Sequence, residues 1–201
     1  MTKPLRILGI AGGLRRDFHS RMILRVAGGL MPQGASLATF EIGEAAVHGH
    51  TSTPTAIHEA QALRRSARAA DGILFITPDY DCAMPSAVKD AIDWASRPNG
   101  NGAWNAKPTL ILGLSLLSSG ATRDPYGLWQ PTLRLRLFPL SQPELPIANA
   151  IAHFDNQGNL GDDATMAAVH HLLQELKEWV GRTPPPYVVA WSPRPNAVLH
   201  P

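Results

Sequence analysis

Residues 5–13 read Leu-Arg-Ile-Leu-Gly-Ile-Ala-Gly-Gly, a short apolar run that ends directly in two glycines. Such a run favours a buried strand followed by a tight turn. Similar runs follow at 73–76 and 109–114, and segments with helical spacing lie between them. Continuous apolar strands that alternate with helices indicate a parallel sheet covered on both faces. Residues 5–11 are therefore predicted to be the first strand of an α/β fold.

The other elements follow from the spacing of apolar residues. We expect a second strand at 36–42, a first helix at 20–30 with Ser20 as its N-cap, and further helices at 54–69, 86–96, 132–137 and 162–180. This order of elements predicts a flavodoxin-like, doubly wound parallel sheet of five strands in the order 2-1-3-4-5, with right-handed crossovers.

Length and composition favour one globular domain. The chain has 201 residues, 44% hydrophobic and 17% charged, a balance that one packed core accommodates. We place the domain at 1–182 and a proline-rich tail at 183–201. The tail either docks along the body of its own chain or on a neighbouring subunit, or it is partly disordered. The net charge of +2 is spread along the chain, so nucleic acid is not an expected partner.

The single cysteine, Cys82, excludes a disulfide within the chain and fits a reducing compartment. The first residues lack the pattern of a signal peptide, and no apolar run is long enough to span a membrane. We therefore expect a cytoplasmic protein that does not enter a membrane. His48 and His50 have alternating spacing, but further ligands are missing nearby, so no metal is expected.

The loop after the first strand is the first candidate for ligand binding. Gly12 and Gly13 precede a helix, and backbone N–H groups in such a turn form an anion seat together with the positive end of the helix. Arg15 and Arg16 add full positive charges. The loop has neither a G-x-G-x-x-G motif nor a Walker P-loop, so neither a dinucleotide fingerprint nor P-loop phosphate transfer is indicated.

The loop after the third strand and the helix behind it carry a longer pattern. Residues 78–94 read Pro-Asp-Tyr-Asp-Cys-Ala-Met-Pro-Ser-Ala-Val-Lys-Asp-Ala-Ile-Asp-Trp. This stretch resembles the NADPH-dependent FMN reductase family, whose relatives include chromate, quinone and azo reductases. The matching positions are Pro78, Tyr80, Pro85, Lys89, Ala91, Ile92, Asp93 and Trp94. Arg15, Arg21 and the turn at 154–160 also match, so the resemblance spans about residues 5–181.

The resemblance implies an oxidoreductase that binds FMN and takes electrons from NADPH or NADH. Its acceptors would be flavins, quinones or similar small molecules, and the flavin rather than a catalytic side chain would carry the chemistry. The implied phosphate site comprises Gly12, Gly13, Arg15 and Ser20. The flavin ring would lie along Pro78, Asp79, Tyr80, Asp81 and Cys82, with Ser115 to Gly120 on its other side. A homodimer or homotetramer is implied, with residues 87–94 at the contact.

Several positions depart from the family pattern. Ala11 and Gly13 replace serines, Ser20 replaces an asparagine, and Leu117 lies where the family has glycine. Asp81 replaces an asparagine beside the ring, and its carboxylate would disfavour an anionic reduced flavin and lower its potential. A flavodoxin-like module that has lost FMN and binds a protein or another small ligand is therefore the alternative.

Two other enzyme classes are less consistent with the sequence. Cys82 lacks the arginine six positions later that a thiol phosphatase needs, because Val88 is there. Ser115 is not part of a G-x-S-x-G elbow, so a serine hydrolase is not indicated.

Overall fold

A parallel sheet of five strands forms the centre of the protein. The computed structural model describes residues 3–11, 19–42, 54–78, 89, 93, 96, 102–104, 106–114, 137–140, 153–155 and 157–183. The strands are β1 (Leu5–Ala11), β2 (Ala35–Phe40), β3 (Gly72–Pro78), β4 (Pro108–Leu114) and β5 (Phe138–Pro139). All neighbouring strands run parallel, in the order β2-β1-β3-β4-β5. The predicted fold class and strand order are confirmed.

Three helices of the described part of the chain cover the sheet: α1 (His19–Gly29), α2 (Pro54–Ala69) and α3 (Asp163–Arg182). The bounds predicted for α2 are confirmed, and α3 ends two residues later than predicted. Asp162 is the N-cap of α3, and its carboxylate accepts hydrogen bonds from the backbone N–H and the hydroxyl of Thr165. This cap satisfies one of the free N–H groups of the first turn.

Other boundaries differ from the predictions. Strand β2 ends at Phe40 rather than residue 42, because its pairing with β1 runs out at Ile10. Ser20 is not the N-cap of α1, since the helix begins at His19. Lys89, Asp93 and Ser96 are helical within the predicted helix 86–96, and the rest of that segment lies outside the described residues. Leu137 is not helical, while 132–136 lie outside the described residues.

The two faces of the sheet bury separate apolar clusters. Side chains alternate along a strand, so Leu8 and Ile10 of β1 face the cluster under α2, while Ile7 and Ala11 face the cluster under α1 and α3. In the centre of β3, Ile73, Leu74, Phe75 and Ile76 are all at most 1% exposed. Burial on both faces explains why this strand is a continuous apolar run.

Gly9 allows α1 to lie close to the sheet. A Cβ atom at this position would lie 2.4 Å from Cδ1 of Leu24 on α1 and 3.1 Å from Cδ1 of Leu37 on β2. Leu24 is itself buried, so it has little room to move. The glycine in the middle of β1 therefore sets the position of α1, and with it the helix start near the carboxyl end of β1.

Lys107 links the start of β4 to the end of α2. Its ammonium group donates hydrogen bonds to the backbone carbonyl of Ala70 and, at 3.3 Å, to that of Arg68. Carbonyl groups at the end of a helix lack partners within the helix, so a lysine here acts as a C-terminal cap. Burial lowers the pKa of Lys107, and the charge of Asp71 partly opposes this shift.

We expect Lys107→Met to lower the free energy of unfolding by about 1–2 kcal/mol, because the end of α2 loses a donor while the apolar stem is kept. The lowered pKa means that the unfolded chain binds more protons than the folded chain between the folded and unfolded pKa values of Lys107. Wild-type stability should therefore rise with pH through that window, and the variant should lack this rise. Urea unfolding at neutral and alkaline pH measures both effects. Lys177→Met on α3 is the control, and equal midpoints for the two variants would contradict the prediction.

Candidate functional site

The carboxyl ends of the strands meet at one edge of the sheet. Ala11 pairs with Ile76 of β3, and Pro78 at the end of β3 pairs with Leu114 of β4. In open parallel sheets, ligands bind outside the carboxyl ends of the strands, near the point where the strand order reverses. In the observed order this point lies between β1 and β3, so the candidate site is at this edge.

The structure describes two of the residues that the sequence predicted for this site. Ser20 lies in the first turn of α1, and Pro78 is the last residue of β3. Both belong to elements that end or begin at the carboxyl edge of the sheet. The other predicted residues lie outside the described residues: Gly12, Gly13, Arg15, Asp79, Tyr80, Asp81, Cys82, Ser115 and Gly120.

Ser20 is the described side chain that best fits a ligand. It is completely buried, and its hydroxyl has no hydrogen-bond partner among the described residues. Burying a hydroxyl without a partner costs about 1–3 kcal/mol, so the position favours an additional acceptor nearby. The first turn of α1 contains no acidic residue, so within the described residues no carboxylate of that turn offsets the positive end of the dipole. A phosphate is the acceptor that suits a helix start of this kind.

A turn late in the chain packs against the start of α1. The rings of His19 and Phe154 lie 5.9 Å apart, and Phe154 forms an isolated antiparallel bridge with Leu160. Within the turn, the carboxylate of Asp155 accepts hydrogen bonds from the backbone N–H groups of Gln157 and Asn159, both at 2.8 Å. The bond from the Asn159 backbone is the largest cause of the lowered pKa of Asp155. The turn thus has a fixed shape where it contacts α1.

The same turn leads into α3. The ring of His153 lies 3.1 Å from the carboxylate of Asp162, measured from Nδ1 to Oδ2. Hydrogen bonding from Thr165 lowers the pKa of Asp162, and His153 adds a smaller effect in the same direction. Residues 153–160 therefore connect the starts of α1 and α3, a role that their spacing in the sequence does not indicate.

We expect Gly158→Ala to destabilise the protein by about 1–2 kcal/mol, because Gly158 has a φ of +81°, a conformation that costs an L-residue this much. The new Cβ would also lie 2.9 Å from Cε of Met22 on α1. Thermal unfolding of the variant checks the prediction. Gly161→Ala is the matched control, since a Cβ there meets no atom within 4 Å. Equal unfolding temperatures for the two variants would refute the strain at Gly158.

A cleft of about 540 Å³ opens beside α1 at the carboxyl ends of β1 and β2. Its polar wall consists of Arg21 and Arg25 from α1, Thr39 from β2, and Glu41, which directly follows β2. The apolar lining residues are Ala11, Leu24, Phe40 and Ile42. Sequence reasoning matched Arg21 to the family but did not associate it with a cleft. The spacing of Arg21 and Arg25, one helical turn apart, is the signal that could have identified the pair.

Comparison with known proteins places the chain in a family. The family model for NADPH-dependent FMN reductase matches residues 5–152. The chain belongs to this family. It is 37% identical over 183 residues to an NAD(P)H-dependent FMN reductase from Pseudomonas aeruginosa, an alignment that covers 90% of this chain and 98% of the relative. It is also 30% identical to a quinone reductase from Escherichia coli, covering 90% of this chain and 98% of the relative.

The fold comparison agrees with the family assignment. The flavoenzyme FerB, an NAD(P)H:(acceptor) oxidoreductase from Paracoccus denitrificans, superposes with a TM-score of 0.74 at 22% sequence identity. That match covers 89% of this chain and 98% of FerB. The predicted resemblance to the FMN reductases is confirmed by the family model and by the two relatives named above. Within the described residues, no helix is long and apolar enough to cross a membrane.

Proposed function

We propose that the protein is an NAD(P)H-dependent, FMN-containing oxidoreductase that reduces flavins, quinones or similar small acceptors. The single observation that carries this proposal is the buried hydroxyl of Ser20 at the start of α1, which has no hydrogen-bond partner in the described part of the chain. It places an unused donor where FMN reductases are expected to seat the flavin phosphate. Membership of the family and the quinone reductases among its relatives support the same activity.

The chain's own residues would bind and orient the cofactor. Ser20 donates to a phosphate oxygen, and the loop containing Gly12, Gly13 and Arg15 supplies backbone N–H groups and a positive charge. Residues 78–82 and 115–120 would lie on two sides of the flavin ring. FMN, when bound, would supply the redox chemistry that links the nicotinamide to the acceptor. The protein's part is to hold the ring so that donor and acceptor reach it in turn.

We also propose the domain bounds, the cellular location and the oligomeric state of the protein. The domain comprises residues 1–182 with the tail at 183–201, and the protein works in the cytoplasm, where its single cysteine stays reduced. Copies of the chain associate as a dimer or tetramer through residues 87–94. Lys89 and Asp93 in that segment are exposed in the single chain, as a contact surface requires. Light scattering at micromolar concentration tests the association, and a monomer alone would exclude it.

Flavin binding is the experiment that tests the proposed function. We expect purified protein to be yellow, and apoprotein to quench flavin fluorescence when FMN is titrated into it. The reconstituted protein should oxidise NADPH or NADH in the presence of benzoquinone. Absence of FMN binding at tens of micromolar would refute the reductase and leave the flavin-free binding module as the better explanation.

A further inference from the structure

The cleft between α1 and the end of β2 is separate from the residues expected to hold FMN. None of its described lining side chains belongs to the predicted flavin set, and Ala11, which borders both the cleft and the loop expected to hold the flavin phosphate, has no donor group. The cleft lies on the β2 side of β1 rather than at the β1–β3 switch point. Leu37, Thr39 and Glu41 project to the same face because side chains alternate along a strand. Leu37 packs into the cluster under α1, so Thr39 and Glu41 continue that face into the cleft.

The described walls of the cleft carry an excess of positive charge. Arg21 and Arg25 supply two guanidinium groups, and Glu41 is the single carboxylate among the described lining residues. Nη1 of Arg21 lies 3.8 Å from Oε2 of Glu41, too far for a hydrogen bond, and the Glu41 side chain is 75% exposed. An exposed pair at this distance contributes little stability, so Arg21 keeps its capacity to bind another anion.

The geometry of the two arginines suits a phosphate. They lie one turn apart on α1, so their side chains extend from the same side of the helix. Arginine presents a planar fork of donors that matches phosphate oxygens, and two such forks can share one dianion. Leu24 adds apolar surface on the α1 side, whereas Phe40 and Ile42 border the cleft at the end of β2 and pack into the cluster under α2.

The proposed function supplies a ligand with such a group. NADPH differs from NADH only by a phosphate on the adenosine ribose, and the flavin phosphate is already assigned to Ser20 and the loop before it. The cleft lies at the carboxyl end of β2, and the proposed function would place the flavin ring at the loops after β3 and β4. Three strand spacings separate β2 from β4, about 14 Å, a distance that a dinucleotide spans from nicotinamide to adenosine.

We infer that Arg21 and Arg25 bind the 2′-phosphate of NADPH in this cleft and thereby select NADPH over NADH. The inference rests on the proposed function and names the donor that this function uses. Glu41 opposes the phosphate by charge, and its exposure lets it turn towards solvent when the ligand enters.

The test compares both donors in the wild type, Arg21→Ala, Arg25→Ala and the double variant. We expect the double variant to lower kcat/KM for NADPH ten- to hundred-fold and to change kcat/KM for NADH less than about two-fold, since only NADPH carries the phosphate. Glu41→Gln should raise kcat/KM for NADPH. Arg65→Ala is the matched control, because Arg65 is an exposed arginine on α2, remote from the cleft lining.

Calorimetry provides a readout that does not depend on turnover. Adenosine 2′,5′-bisphosphate should bind the wild type more tightly than adenosine 5′-monophosphate does, and the double variant should lose this difference. An equal loss of activity with both donors, or unchanged discrimination, would overturn the inference while leaving the reductase intact. Weaker FMN binding in the double variant, with unchanged discrimination, would assign the arginines to the flavin phosphate instead. A wild type that oxidises neither donor would refute the proposed function. The calorimetry would still decide whether the cleft binds the 2′-phosphate.

Discussion

Arg15→Ala is expected to weaken FMN binding ten- to hundred-fold, or about 1.5–3 kcal/mol, while leaving the fold intact. The family has serines where this chain has Ala11 and Gly13, so two hydroxyl donors to the phosphate are missing. Ala11, the last residue of β1, has only a methyl side chain and therefore offers no donor in their place. Ser20 and Arg15 are then the side chains left to hold the phosphate, and Arg15 is the charged one.

Arg16→Ala is the matched control for this prediction. Arg16 has the same charge one residue later, but no family role corresponds to it. Fluorescence titration of FMN into each apoprotein gives the two dissociation constants, and circular dichroism confirms that both variants are folded. Equal weakening by the two substitutions would show that the loop acts through its overall charge rather than through a specific contact with Arg15.

Trp104→Ala should lower the free energy of unfolding by about 3–5 kcal/mol, the usual cost of removing a large aromatic side chain from a core. Trp104 is completely buried, and its ring lies 5.9 Å from that of Phe75 in β3, at an interplanar angle of 50°. It belongs to the cluster that includes Ile10 of β1 and Leu63 of α2. Its loss would leave a cavity between the sheet and α2 that close packing cannot fill.

Urea unfolding followed by circular dichroism measures this loss. Trp104→Phe should recover part of it, because a smaller aromatic ring keeps the contact with Phe75 and leaves a smaller cavity. Trp179→Ala is a useful comparison, since Trp179 is only partly buried and its indole N–H donates to the carbonyl of Phe138 at the edge of the sheet. A smaller loss in Trp104→Ala than in Trp179→Ala would contradict the central place of Trp104 in the core.

Much of the fold could be predicted because the relevant signals are local. The apolar runs of β1, β3 and β4 report burial on both faces of a sheet, and the spacing of Val169, Leu172, Leu173 and Leu176 reports the buried stripe of α3. The order of these elements along the chain, combined with the handedness rule for parallel strands, leaves few topologies to choose from. The sequence alone also identified the family, through a long motif at fixed spacing.

The contacts between distant segments were decided by the tertiary structure. Lys107 caps a helix whose end lies nearly forty residues earlier, and the turn at 153–160 reaches the start of α1. Neither contact leaves a periodic signal, because each depends on how α1, α2 and the strands pack. The position of Ser20 could not be predicted from the sequence either. Its residue type suggested an N-cap, but the helix begins one residue earlier and buries the hydroxyl of Ser20.

Part of the candidate site could likewise be predicted from the sequence, and part of it depends on the tertiary structure. The sequence by itself placed Gly12 and Gly13 directly after β1 and identified the FMN reductase family, since these signals are short, contiguous motifs. Only the tertiary structure brings Arg21 and Arg25 of α1 next to Thr39 and Glu41 across a cleft. The physical reason is that Gly9 lets α1 pack closely on β1 and β2, and this distance depends on side chains from three elements at once.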